Sequence, residues 1–339
     1  CKSLNNVVIP KNVGSIWERV FEGCSSLTDI TFLGEITHIG WRAFYNCDKL
    51  ISFTVPKTVQ TIDYGAFCSC DELVEVVFEE GSKIETLSGN YQYQMFGSCK
   101  KLKRINIPNT VKVIEYAFEG CTSLDSIVIP NSVTTIGRNT FKDTGLKNVV
   151  IPNSVTTIGP LAFYGCTSLD SIVIPNSITT IEENVFHGCS SLDNIEIPNS
   201  VTTIKSHAFR QSGLESIVIP NSVTSLGDYT FKGCSKLDNV IIPNSVTSLG
   251  DYTFEGCSKL DNVIIPNSIT RIGHSLFKDC VNLKNVTIPN SVTSIIDHAF
   301  RGTAIQNITI PNSVTHIGFC AFGYCSRLET FEMPNSVTS

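Results

Sequence analysis

FEGCTSLDSIVIPNSVTTIGRNT, the stretch Phe118 to Thr140, recurs with variations along nearly the whole chain of 339 residues. Its leading phenylalanine is found at positions 21, 44, 67, 96, 118, 141, 163, 186, 209, 231, 254, 277, 300 and 322. Successive positions are 22 or 23 residues apart, except for one step of 29 residues between Phe67 and Phe96. A fixed period of this length predicts a solenoid, in which each repeat forms one coil and stacked coils bury a shared core.

Apolar residues inside the unit predict one short strand per coil. Leu124, Ile127 and Ile129 follow the spacing L-x-x-I-x-I. Because side chains alternate along a strand, Ile127 and Ile129 should face the core, whereas Ser126 and Val128 should face solvent.

Turn residues then bend the chain around the core. Pro130 and Asn131 suit the second and third positions of a turn, and the missing N–H of the proline ends the strand ladder. Gly137 should permit another sharp turn before the coil closes. The back of the coil has room for short strands or single helical turns, but not for a regular helix.

The pattern IPNSVTTIGxxxFxxCxxLxxI resembles the BspA-type leucine-rich repeat, and it covers essentially the entire chain. The resemblance implies a right-handed leucine-rich repeat solenoid with one parallel strand per 22–23 residues and short strands or helical turns behind it. We expect one domain of about 14 repeats over residues 1–339, with an irregular, lengthened coil at 79–95. The resemblance also implies an extracellular or cell-surface protein involved in adhesion.

Composition narrows the classes of partner. The net charge is −6, charged residues make up 17% of the chain, and no cluster of Lys and Arg suggests nucleic-acid binding. No apolar run is long enough to span a membrane, so we expect no direct insertion. Cys1 and Ser339 both fall within a repeat, which indicates a fragment of a longer protein whose uncovered end coils could associate end to end.

Most cysteines belong to the repeat. Eleven of the fourteen lie three residues after a recurrent Phe, at positions 24, 47, 70, 99, 121, 166, 189, 234, 257, 280 and 325. Equivalent residues of stacked coils point the same way, which disfavours disulfides and favours buried thiols. Thr144, Ser212 and Thr303 occupy this position in other coils, so a small group should suffice. Pairing of the off-ladder Cys68 with Cys70, or of Cys320 with Cys325, stays open.

The solvent side of the strands carries two rows of candidate partner-binding residues. Carboxylates follow the first leucine of the strand motif, interrupted by Lys147, and are Asp125, Asp170, Asp193, Glu215, Asp238 and Asp261. Their row could attract cations or a basic partner, or could simply keep the array soluble. Beside it runs a β-branched ridge, broken by Glu196, of Val128, Val150, Val173, Val218, Ile241 and Ile264. This ridge is either a contact surface or a consequence of β-branched preference for strands.

The lengthened coil is a further candidate. Its polar segment, Ser88 to Met95, contains Tyr91 and Tyr93, and Leu87 before it should anchor the coil in the core. Inserted loops on a solenoid are common binding sites, although a tolerated surface insertion explains the segment equally simply.

No arrangement of residues suggests catalysis or a cofactor. The six histidines do not recur beside a fixed Ser, Cys and acid, and zinc binding would require clustered ligands. We therefore expect no enzyme, no metal and no cofactor. The sequence favours a non-catalytic adhesion or interaction module that binds a protein or glycan through its strand face. A structural spacer or intracellular scaffold is the alternative.

Overall fold

The computed structural model describes residues 1–339 and consists of short parallel strands joined by turns, without a helix. Most coils contribute a front strand, which carries part of the L-x-x-I-x-I motif, and a back strand after the Pro-Asn-Ser turn. The coils form two compact units, Cys1–Pro175 and Asn176–Ser339. That the units make up one domain stays a prediction. No helical segment is present that is long and apolar enough to cross a membrane.

In the first unit the strands are β1 (Asn6–Ile9), β2 (Ser15–Ile16), β3 (Asp29–Phe32), β4 (His38–Ile39), β5 (Ser52–Val55), β6 (Thr61–Ile62), β7 (Glu75–Phe78), β8 (Thr86–Ser88), β9 (Arg104–Asn106), β10 (Val113–Glu115), β11 (Thr135–Ile136), β12 (Asn148–Val150), β13 (Thr157–Ile158) and β14 (Ser171–Val173). The front strands pair as β1-β3, β5-β7-β9 and β12-β14. The back strands pair as β2-β4-β6 and β8-β10-β11-β13.

In the second unit the strands are β15 (Thr180–Ile181), β16 (Thr203–Ile204), β17 (Ser216–Val218), β18 (Ser225–Leu226), β19 (Asn239–Ile241), β20 (Ser248–Leu249), β21 (Asn262–Ile264), β22 (Arg271–Ile272), β23 (Asn285–Thr287), β24 (Ser294–Ile295), β25 (Asn307–Thr309), β26 (His316–Ile317) and β27 (Thr330–Glu332). Back strands pair as β15-β16-β18-β20 and β22-β24-β26, and front strands as β17-β19, β21-β23 and β25-β27. All pairs are parallel and match equivalent residues, such as Val218 with Ile241. The predicted parallel solenoid is confirmed.

The coil that begins at Phe118, which defines the repeat, is less regular than the repeat predicts. The Phe118 coil forms no front strand, and Ile127 is only half-buried, whereas Ile129 is buried as predicted. The backbone N–H of Lys147 still donates to the carbonyl of Asp125 over 3.0 Å, so the neighbouring coil lies alongside without completing a ladder.

The Pro-Asn-Ser turn is displaced by one residue from its predicted register. The N–H of Val133 donates to the carbonyl of Pro130 over 3.0 Å, so proline is the first residue of the turn rather than the second. The serine also joins successive coils: Ser154 Oγ donates to the carbonyl of Val133 over 2.7 Å. This turn therefore stabilises stacking as well as reversing the chain.

The turn predicted after Gly137 is present, but it does not explain the glycine. Its φ is not left-handed, but a Cβ at this position would lie 2.6 Å from Cβ of Glu115 in the preceding coil. At the equivalent Gly159 a Cβ would lie 2.8 Å from the backbone N of Arg138. Glycine is needed here because adjacent coils approach closely, not because the turn requires a left-handed residue at this position.

The left-handed residues lie elsewhere, at two positions of almost every coil. One precedes the recurrent Phe by two residues and the other follows it by two, as Asn139 and Asp143 do around Phe141, with φ of 54° and 55°. The second position is often glycine, but the first is a non-glycine residue in nearly every coil, with φ between 47° and 61°. Left-handed geometry in residues with a Cβ is strained, so stacking contacts must offset this cost in each coil.

Phenylalanine stacks form the centre of both units. In each unit, rings of successive coils lie nearly parallel with centroids 5.3–5.7 Å apart, as in Phe118–Phe141 and Phe231–Phe254. Offset stacking at this distance adds favourable energy to the burial of the rings. The rings from Phe44 onward are almost completely buried until Phe300.

Cysteines of the repeat make a directional contact between coils. The thiol of Cys121 donates to the carbonyl of Phe96, the recurrent Phe of the preceding coil, over 3.1 Å. Nine cysteines make the equivalent bond at 3.0–3.2 Å. The off-ladder Cys68 and Cys320 are thiols, without a disulfide to Cys70 or Cys325.

The three coils that lack this cysteine are also one residue shorter at the same place. Thr144-Gly145-Leu146 replaces a Cys-x-x-Leu segment, and Thr144 Oγ1 donates to the carbonyl of Phe141 in its own coil over 2.8 Å. A Cβ on Gly145 would lie 2.2 Å from the carbonyl O of Thr122. The hydroxyl therefore closes a tighter turn, and the prediction that any small group suffices is too simple.

Charged side chains beside the Phe stack pair between coils in the second unit. The carboxylate of Glu255 lies 2.6 Å from Lys232 Nζ of the preceding coil and 2.8 Å from Lys278 Nζ of the following coil. Burial opposes ionisation of Glu255, but the two lysines outweigh it and lower its pKa. This cluster links three successive coils.

Candidate interaction surfaces

The β-branched ridge is exposed in both units. In the first unit Val128, Val150 and Val173 project from the front, and Val150 pairs in register with Val173. In the second unit Val218, Ile241 and Ile264 also project from the front. Each of these six side chains is 52–81% exposed. Side chains in register on adjacent strands lie about 4.8 Å apart, so each unit presents a contiguous apolar stripe.

The ridge gives way to grooves where its residue is a threonine. In the first unit Thr31 and Thr54 line a groove of about 510 Å³ together with Phe32 and Pro56. In the second unit Thr287, Thr309 and neighbouring Pro-Asn turns line one of about 890 Å³. Glu196, the charged residue at a ridge position, is exposed on a coil that forms no front strand.

The carboxylate row lies beside the ridge. Backbone hydrogen bonds join this position in successive coils, from Asp170 N to the carbonyl of Lys147 and from Asp238 N to that of Glu215. In the first unit Lys147 separates Asp125 from Asp170, so the charges alternate. In the second unit four successive coils carry the exposed acids Asp193, Glu215, Asp238 and Asp261.

The six additional residues of the lengthened coil are divided between two places. Val77 and Leu87 are ten positions apart, where the equivalent Thr54 and Ile62 are eight apart, so two residues lengthen the front turn. The other four lie between Leu87 and Phe96, and form the loop that contains Tyr91 and Tyr93. Leu87 is buried in β8 and pairs with Ile114, which confirms it as a core anchor.

This loop folds back over earlier coils rather than projecting from its own. Tyr93 packs against Trp41 and Tyr45, with ring centroids 5.7 and 6.1 Å away. Gly65, at φ 64°, leaves space for it, since a Cβ there would lie 2.8 Å from Cβ of Tyr93. Tyr91, at the loop tip, is 82% exposed.

Sequence reasoning missed the residue at the centre of this cluster. The guanidinium of Arg42 lies 4.1 Å from the ring centroid of Tyr45, 4.8 Å from that of Tyr93 and 5.4 Å from that of Trp41. Tyr93 is 51 residues away from Arg42, so the periodic pattern alone gave no signal for the contact. A guanidinium among three rings is a strong cation–π arrangement.

The cysteine thiols are held in an unreactive form, and no metal site is formed. Burial raises the pKa of the Cys166 and Cys234 thiols to about 11, and it also raises the pKa of the Cys70 and Cys257 thiols well above the usual value. Thiolates, the reactive form of cysteine, are therefore scarce at neutral pH. No group of three or more His, Cys, Asp or Glu side chains is placed to hold a metal ion.

Comparison with known proteins agrees with this architecture. The family model of the BspA type leucine rich repeat region, which spans six copies, matches residues 1–116, 89–215, 157–283 and 247–339. No curated protein matches the chain at a significant level.

Solved structures with similar folds come from several bacteria. A leucine-rich repeat protein from Bacteroides ovatus is 28% identical, with 96% of this chain and 86% of that one covered and a TM-score of 0.64. A leucine rich cell surface protein from Faecalibacterium prausnitzii is 29% identical, with the same coverage and a TM-score of 0.57. The pneumococcal vaccine antigen PcpA is 17% identical over 94% of this chain and 75% of its own, with a TM-score of 0.53, and shows the fold alone.

Family matches that together span the whole sequence agree with the coil geometry and with the recurrent Phe, Cys and Pro-Asn-Ser positions. The chain belongs to the BspA-type leucine-rich repeat family.

Proposed function

We propose that this chain is a non-catalytic adhesion and interaction module that acts at the cell surface and binds a protein partner through its strand face. The observation that carries the proposal is the exposed β-branched ridge. Three valines in the first unit, and two isoleucines and a valine in the second, form apolar stripes that no other part of their unit covers. Contiguous apolar surface of this kind is typical of protein contact sites.

Polar residues around the ridge suit recognition. Alternating charges beside Val150 in the first unit, from Asp125 to Asp170, offer both signs to a partner. The acidic run beside Val218 and Ile241 in the second unit favours a basic one. A buried apolar centre with a charged rim is the usual arrangement of a protein interface.

Two further observations support the location and the absence of catalysis. The F. prausnitzii protein of similar structure is described as a cell surface protein, which favours a position outside the cell. The buried thiols with raised pKa offer no ready nucleophile. Leucine-rich repeat proteins generally mediate protein interactions.

The test is a binding screen of the intact chain against purified extracellular-matrix proteins and whole cells. A variant with Val173→Asp, Val218→Asp and Ile241→Asp should lose binding and keep its circular dichroism spectrum. A matched control carries Thr156→Asp, Thr224→Asp and Thr247→Asp, because these threonines are equally exposed on the back. Undiminished binding by the ridge variant rejects the strand face, and absence of any binding supports a structural spacer.

A further inference from the structure

A second surface with different chemistry lies on the first unit, away from the strand face. Trp41, Tyr64 and Tyr93 each stand three residues before the recurrent Phe of three successive coils. Most other coils place a charged or small residue at this position, such as Glu18, Glu183 or Asp228. We call these three residues, with Tyr45 and Tyr91, the aromatic edge.

The central cation position of the aromatic edge is already filled. Arg42 occupies the space between Trp41, Tyr45 and Tyr93, and its Nη1 donates to the hydroxyl of Tyr93 over 3.4 Å. Its other terminal nitrogen pairs with Glu22. A basic side chain of a partner cannot enter this cage, because Arg42 already satisfies the rings and would repel it.

The two arginines at the aromatic edge are both paired with a carboxylate of the protein. Glu22 pairs with both Arg19 and Arg42, and His38 Nε2 lies 3.4 Å from a carboxylate oxygen of Asp63. An acidic ligand would therefore meet no unpaired cation. The loop itself offers a ligand aromatic rings and neutral amides, including the exposed Gln92.

Two of the rings are accessible and held in place. Tyr64 is 46% exposed and Tyr91 is 82% exposed. The loop tip is fixed because Asn90 Oδ1 accepts from the backbone N–H groups of Gln92 and Tyr93 at 2.9 and 2.8 Å. In addition, Gln94 Nε2 donates to the carbonyl of Tyr91 over 3.2 Å. A ligand that stacks on Tyr91 would consequently lose little free energy in ordering the loop.

We propose that the aromatic edge binds a neutral polysaccharide. Sugar rings present polarised C–H groups on their faces, which suit the electron-rich faces of Tyr64 and Tyr91, and hydroxyls at their rims, which suit amides such as Gln92. Because Arg42 fills the cage and both arginines are paired, these rings favour neither a basic nor an acidic group, whereas a neutral saccharide needs no counter-charge. This site is independent of the strand face and of its proposed protein partner.

The test is native affinity electrophoresis of the intact chain in gels that contain mannan, β-1,3-glucan or galactan. At least one of these neutral polysaccharides should retard the wild-type chain. Tyr91→Ala and Tyr64→Ala should each weaken the interaction about tenfold, as expected for the loss of one stacking ring. Tyr91→Phe should retain binding because it keeps the ring. Tyr324→Ala, which removes an equally exposed tyrosine from the second unit, should not change it.

Three results would overturn the proposal. The first is the absence of retardation by all three polysaccharides, and the second is equal retardation of Tyr91→Ala and the wild type. The third is a protein partner whose capture depends on Tyr91 while no polysaccharide binds, which would assign the edge to protein recognition. None of these outcomes affects the ridge variants, so this proposal and the strand-face proposal fail separately.

Discussion

Raising the pH from about 7.5 to about 9.5 should strongly destabilise the folded chain through its buried thiols. Burial raises the pKa of nine cysteine thiols. For Cys166 and Cys234 it raises the pKa to about 11. In the unfolded chain a thiol titrates near 8.5. Because the folded pKa is raised, the stabilisation is complete below the unfolded value and is lost as the pH rises towards the folded value.

The size of the effect follows from the difference between the two states. At a pH of about 9.5, one unit above the unfolded pKa, an unfolded thiol gains about 1.4 kcal/mol by ionising, whereas a thiol with a folded pKa near 11 gains almost nothing. The seven thiols whose pKa is strongly raised, which leaves out Cys68 and Cys99, would together remove about 9.5 kcal/mol. This sum is comparable to the whole stability of an ordinary domain, about 5–15 kcal/mol.

The assay is urea unfolding followed by far-ultraviolet circular dichroism in a reducing buffer at the two pH values. A Cys257→Ala and Cys280→Ala double variant should lose about 3 kcal/mol of the wild-type pH dependence, since two of the titrating thiols are gone. Cys1→Ala is the matched control, because Cys1 is exposed in the folded protein. Equal pH dependence in the double variant and the wild type would refute the reasoning.

Two other changes test the packing and the backbone. Phe254→Ala removes a fully buried ring stacked on Phe231 and Phe277, and should lower the free energy of unfolding in urea by about 3–5 kcal/mol. Phe319→Ala, at an exposed position, is the control and should lower it by less than about 0.5 kcal/mol. Equal losses in the two variants would contradict the core assignment. Ser275 has a left-handed backbone at φ 49°, and Ser275→Gly should relieve the strain of this conformation. Glycine also makes the unfolded chain more flexible, so the net gain in the free energy of unfolding should be about 1 kcal/mol. Ser275→Ala keeps the strain, so a thermal melt in which both variants gain equally would count against this explanation.

The parts of the fold that depend on period and alternation could be predicted from the sequence. Leu124, Ile129 and the recurrent Phe are buried and Val128 is exposed, because equivalent positions of stacked coils face the same way and the apolar spacing identifies the inward ones. The role of Gly137 could not be predicted in this way. It depends on how closely the next coil approaches, and a single repeat contains no information about that distance.

The aromatic edge shows that the spacing within one repeat also fails to predict a candidate binding site. Tyr91 and Tyr93 stand out in the sequence because they interrupt the period, but the period does not predict the direction in which their loop folds. Arg42 and Gly65 determine that the loop folds back over earlier coils, and both belong to repeats that otherwise look ordinary. Contacts between different coils are set by stacking geometry, which local spacing does not encode.

The ion pairs around Glu255 indicate how this array could grow. Residues 219–241 and 242–264 are identical except that Lys232 in the first is replaced by Glu255 in the second. A copied coil lies directly beside its parent, so every unchanged side chain becomes the neighbour of its own duplicate. Phenylalanine and tyrosine stack favourably on a duplicate, but a lysine is repelled by one. At this partly buried position a single reversal of charge turns that repulsion into the 2.6 Å pair, whereas the exposed duplicates Asp238 and Asp261 keep the same sign. A chain of this kind can therefore be lengthened by duplication when a substitution follows at the partly buried charge.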